Sequence, residues 1–126
     1  MKVPYLKIQG TIEEIYLPNF ERFLREAPNL IHAFNISGLQ FGKDSGLNTS
    51  LQTLRGSLFL EGLVNLNLSY LNVSKLKADI SQILINTPNL ELLDLSGCTF
   101  NREQFRTLTR SLDAPWIKNL AVFIGN

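Results

Sequence analysis

Side chains able to do covalent or metal chemistry are scarce in this sequence. His32 and Cys98 are its single histidine and single cysteine. A nucleophilic pair would need both on one face, within hydrogen-bond reach. In the strand pattern derived below, His32 points outward and Cys98 occupies an inward turn position two coils away, so they read as a solvated imidazole and a packing thiol. A metal centre needs clustered Cys, His or carboxylates. None is spaced that way, and the adjacent Glu13 and Glu14 read as a solvated turn. Neither a Gly-rich loop ending in Lys-Ser/Thr nor a dinucleotide fingerprint occurs. Arg102, Arg106 and Arg110 recur every four residues, as a phosphate-binding stripe would require. Glu103 and Asp113 stand beside them, which makes a solvated helix face the better reading. Asn-x-Ser sequons at Asn35, Asn48, Asn67 and Asn72 follow no secretory signal and read as chance. The expectation is a protein that is not an enzyme, with no catalytic residue, no metal and no cofactor.

The supporting architecture is more legible. The 126 residues suffice for a single domain, 1–126. With 44% apolar residues, disorder is excluded as the main state. Twelve basic and eleven acidic residues leave a net charge of +1, too little to draw nucleic acid or an anionic membrane. Apolar runs such as 121–124 are far too short to span a bilayer. A lone cysteine allows no internal disulfide and fits a reducing, cytoplasmic location. Leucine is over-used at 23 residues and asparagine follows with 12, a bias that calls for a search for repeats.

The repeat is present. Leu63, Leu66, Leu68, Leu71 and Val73 share one spacing with Leu90, Leu93, Leu95, Cys98 and Phe100, and with Ile31, Phe34, Ile36, Leu39 and Phe41. Ile117, Leu120 and Val122 begin another copy, and Val3, Leu6 and Ile8 a weaker first one. The copies start at 3, 31, 63, 90 and 117, in steps of 28, 32, 27 and 27, with an insertion around 42–50 in the long step. Alternate strand residues face opposite ways, so L-x-L sends both leucines inward. One coil cannot bury such a face alone, but stacked coils share a core.

Between the strands lie helix patterns. One runs from Pro18 to Glu26 with Phe20, Phe23 and Leu24 inward, one over 47–54, one from Ser74 with Leu76, Ile80, Ile83 and Leu84 on one side. The last starts at Asn101, with Gln104 completing a capping box and Phe105, Leu108 and Leu112 inward. Pro28, Pro88 and Pro115 recur between helix and next strand. The segment 57–62 breaks the pattern and reads either as a packed loop or as part of a longer helix.

Spacing and leucine pattern together resemble the leucine-rich repeat family, in its ribonuclease-inhibitor-like class. The resemblance covers essentially the whole chain and implies a short right-handed α/β solenoid, with a parallel sheet on the concave side and helices on the convex side. The family usually has Asn or Cys at the ninth repeat position; here stand Leu39, Leu71, Cys98 and Gly125, so the turns at Leu39 and Leu71 must satisfy their backbone elsewhere. The family role implied is a non-catalytic module that binds a protein partner through the concave sheet and adjoining loops, as adaptors, inhibitors and pathogen effectors do, the last in a host cytosol.

The outward positions would then form the contact face: Tyr5, Lys7, Asn35, Asn65, Asn67, Ser69, Leu92, Asp94, Ser96, Asn119 and Phe123. That set offers hydrogen bonds and aromatic area without reactive groups. The alternative is a self-assembling unit, a homodimer or longer array paired through an exposed edge strand.

Overall fold

The computed structural model describes residues 5–74, 80–113 and 120–125. Val3, Leu76, Pro115, Ile117 and Asn119 of the expectations above lie outside them. Leucines flanked by polar residues make short strands, and five of these build one parallel sheet: β1 (Tyr5–Lys7), β3 (Ala33–Asn35), β5 (Asn65–Asn67), β6 (Leu92–Ser96) and β7 (Ala121–Gly125). They lie in chain order, each beside the next. Leu6, Phe34, Leu66, Leu93 and Val122 stand side by side across the sheet. The backbone bonds Ile36 N–H to Asn67 O (3.0 Å) and Leu68 N–H to Asp94 O (2.9 Å) carry the register onward.

One pairing corrects the sequence alignment. Val122, not Leu120, sits opposite Leu93, which makes the last step 29 residues rather than 27. A slip of two preserves the face of every side chain, so apolar patterning alone cannot distinguish the two registers. Phe123 therefore neighbours Asp94, and Gly125 neighbours Ser96 instead of standing where Cys98 does.

A second, two-stranded parallel pair was not legible in the pattern: β2 (Thr11–Ile12) beside β4 (Gln40–Phe41). Among the described residues four α-helices lie between strands. In α1 (Leu17–Glu26), Pro18 occupies the first turn, where a missing N–H is harmless. Its buried residues, Phe20 and Leu24, are four apart, one helical turn on the same face. Helix α2 (Ser45–Leu54) buries Leu47, Leu51 and Leu54 and packs against α1. Helix α3 is Ser81–Ile85, with Ile83 and Leu84 buried. Helix α4 (Arg102–Leu112) begins with the expected box: Gln104 N–H donates to Asn101 Oδ1 at 2.8 Å, and Asn101 N–H to Gln104 Oε1 at 2.9 Å. Its inward face is narrower than expected. Leu108 is buried, but Phe105 is 46% exposed, its ring edge-on to that of Phe100 with centres 6.5 Å apart.

The irregular segment is a 3-10 helix, Leu58–Gly62. Phe59 and Leu60 enter the core and Leu58 stays outside. Phe59 meets Phe34 edge-on, ring centres 5.2 Å apart, a favourable quadrupole arrangement. The core is continuous from Phe20 to Leu108, and Phe59, Leu63, Leu66, Leu68, Leu93 and Leu95 are wholly buried.

Candidate functional site

The sheet face opposite the leucines brings most of the expected contact residues together. One row is Tyr5, Ala33, Asn65, Leu92 and Ala121; the next is Lys7, Asn35, Asn67, Asp94 and Phe123. Tyr5, Lys7 and Phe123 are exposed, while Asn35, Asn65, Asn67, Leu92, Asp94 and Ser96 are half-buried between neighbouring strands. Ser69 is buried, 4% exposed, and is withdrawn from any contact face.

The central side chains also have a task inside the protein. Asn35 Oδ1 accepts the N–H of Ser37 at 2.8 Å, Asn67 Oδ1 that of Ser69 at 2.9 Å, and Asp94 Oδ1 that of Ser96 at 2.9 Å. Each is a side chain bonded to its own backbone two residues on, the device that lets Asn and Asp start turns. Asn67 Oδ1 also takes the Ser69 hydroxyl at 2.7 Å, and the Ser37 and Ser69 hydroxyls meet at 2.6 Å. These bonds serve the same turns that lack Asn or Cys at Leu39 and Leu71. Three of the four Asn-x-Ser sequons thereby gain a physical account. Asn35 and Asn67 start turns, and Asn72 Oδ1 likewise accepts from the Ser74 hydroxyl at 2.9 Å. The repeated Asn or Asp two residues before Ser was the available signal.

One residue beyond Gln9, Ser37, Ser69 and Ser96 the chain reverses with positive φ. The aligned residues are Gly10 (106°), Gly38 (67°), Tyr70 (59°) and Gly97 (73°). Glycine takes such angles freely; a residue with a Cβ is destabilised there by roughly 1–2 kcal/mol. Tyr70 nevertheless holds the position, its side chain 65% exposed. Its ring lies over Gly97, where an added Cβ would come within 2.3 Å of it.

The reactive candidates stay apart. His32 is exposed immediately before β3, with its carbonyl accepting from Val64 and Asn65 N–H. Cys98 is half-buried and donates to Leu68 O at 3.0 Å. Burial pushes its thiol pKa up, against the lowering effect of Leu71 and Tyr70 backbone hydrogen bonds, and the Asp94 charge raises it further. A neutral, engaged thiol is a weak nucleophile. Glu14 pairs with Lys43 at 3.5 Å in an exposed ion pair. Arg102, Arg106 and Arg110 all project from α4 into solvent. Among the described residues no three Cys, His, Asp or Glu side chains gather to hold a metal, and no helix is long and apolar enough to cross a membrane. Compared with protein-family models, curated proteins and solved structures, the chain finds no match.

Proposed function

We propose that the chain is a short leucine-rich repeat solenoid that works as a protein-docking platform without catalysis. The helices take the convex side and the parallel sheet the concave one. The observation that carries this reading is the in-register alignment of five strands, which sets ten outward side chains in two adjacent rows. Strands about 4.8 Å apart make those rows a continuous surface. It mixes exposed aromatic rings at its two ends (Tyr5 and Phe123) with amide and carboxylate groups between, a combination suited to protein contact.

The test uses residues that do not hold the turns. Asn65→Arg and Leu92→Arg place two bulky charges mid-surface, whereas Phe105→Arg changes an exposed position on α4. The immobilised wild-type protein and each variant are compared in capturing a partner from cell lysate, with circular dichroism confirming the fold. Loss of capture in the first two alone supports the sheet face. Capture that survives both removes it as the contact.

A second reading has one observation in its favour. Strand β7 is five residues long, apolar, and has β6 as its described sheet neighbour, with Phe123 51% and Ile124 41% exposed. Edge-to-edge pairing of two copies would cover it. Sedimentation over a wide concentration range distinguishes this reading: a strict monomer eliminates it.

A further inference from the structure

A groove of about 640 Å³ opens where the chain leaves β3 and β5, away from the two outward rows. Its lining includes Gln40, Phe41, Asp44, Leu47, Tyr70 and Asn72. Its size is that of a small-ligand pocket, and it flanks the carboxyl ends of parallel strands, where α/β sheets commonly take ligands.

Three features define the ligand. The first is charge. Among the described residues Asp44 is the one formally charged residue in the lining. It precedes α2 but makes no capping hydrogen bond, and the adjacent Lys43 directs its ammonium to Glu14 instead. Among the described residues Asp44 has no hydrogen-bond or ion-pair partner, so the carboxylate is left to accept from outside. The second is the Tyr70 ring. Its backbone is held in a left-handed turn and its ring rests on Gly97, so an exposed aromatic face is already ordered before anything binds. A strained non-glycine residue lining a cavity is a recurrent mark of ligand sites. The third is the apolar part of the lining, Phe41 and Leu47, which suits the methylene stem of a long side chain.

A carboxylate and an aromatic face lining one groove both attract an organic cation. Guanidinium fits better than ammonium, because it is planar, stacks on rings and grips a carboxylate with two parallel N–H bonds. Gln40 adds a carbonyl acceptor, while Asn72 Oδ1 is already held by Ser74. We propose that this groove receives an arginine side chain of a partner polypeptide. The inference rests on the protein-docking reading for the source of the arginine, not for the groove's affinity.

The test is a titration of the 15N-labelled chain with N-acetyl-arginine methylamide, followed by NMR. Saturable shifts should appear at amides 40–47 and 70–72. Asp44→Asn should weaken binding about tenfold or more, and Tyr70→Asn, which keeps a turn tolerant of positive φ, roughly threefold or more. N-acetyl-citrulline methylamide has the same shape without the charge and should bind about tenfold less well. Absence of shifts, an equal response to citrulline, or undiminished binding by Asp44→Asn overturns the proposal. The two readings fail separately. If arginine amide does not bind while Asn65→Arg still abolishes partner capture, the groove falls and docking through the sheet stands. If arginine amide binds as stated while the sheet variants capture normally, the groove stands and the sheet face falls.

Discussion

The middle rungs and the last rung carry the same apolar spacing and meet different fates. Leu66, Leu68, Leu93 and Leu95 are 0% exposed, whereas Val122 is half-buried and Ile124, paired with Leu95, is 41% exposed. Inward direction is a property of one strand, but burial requires a neighbour on both sides. An inward side chain is thus only as buried as the strands and helices beside it allow. The turns show a parallel contrast. Gly38 and Gly97 reverse the chain freely, while Tyr70 does so against its own Cβ, at the rung whose serine is buried.

The largest effect should come from the first contrast. Leu66→Ala should destabilise the fold by about 2–5 kcal/mol through lost contacts and a cavity. Ile124→Ala, with the same inward direction, should lose less than about 1 kcal/mol because much of its surface is already wet. Urea unfolding measures both, and equal losses would show that the last rung is packed like the middle ones.

Next in size is the turn contrast. Gly97→Ala must adopt an unfavourable φ and displace the Tyr70 ring, an expected loss of about 2–3 kcal/mol. Gly38→Ala meets no atom within 4 Å and should lose only about 1 kcal/mol. In a Tyr70→Gly background the Gly97→Ala loss should fall to that of Gly38→Ala. An undiminished loss would mean that the ring is not the obstacle.

Within the outward rows, Asn67→Ala leaves the Ser69 N–H without its acceptor and the Ser69 hydroxyl with Ser37 alone, and should destabilise by about 1 kcal/mol. Asn65→Ala, one step earlier on the same face, should be close to neutral. Equal thermal shifts for the two would deny the turn its side-chain anchor.

The smallest effect concerns Cys98. Its folded pKa is raised, so the folded state favours the neutral thiol. The associated stability is present in full below the free thiol's pKa and is lost as pH climbs through the folded one. Alkylation by iodoacetamide should accordingly run slower than for a free cysteine at mildly alkaline pH and accelerate only at higher pH. A rate matching free cysteine would contradict the burial.

Much of the scaffold was legible because leucine spacing encodes which side chains turn inward. Phe34, Leu66 and Leu93 align as the pattern requires, and the Asn101–Gln104 box forms because both partners lie within one turn. The contact face was only half legible. Asn35, Asn67 and Asp94 were placed on the correct side, but alternation cannot reveal that their oxygens hold the next turn. Nor could it bury Ser69, whose hydroxyl finds Ser37 across a rung 32 residues away.

By itself, then, the sequence determined direction: inward leucines, outward amides, the starts of α1 and α4, and Pro28 and Pro88 between helix and strand, all dictated by neighbours along the chain. The tertiary structure alone decided degree and partnership. It chose Val122 over Leu120 opposite Leu93, brought β2 beside β4, exposed Phe105 and laid the Tyr70 ring on Gly97. Those outcomes depend on which element lies alongside, and a two-residue slip leaves local periodicity unchanged while replacing every neighbour across the sheet.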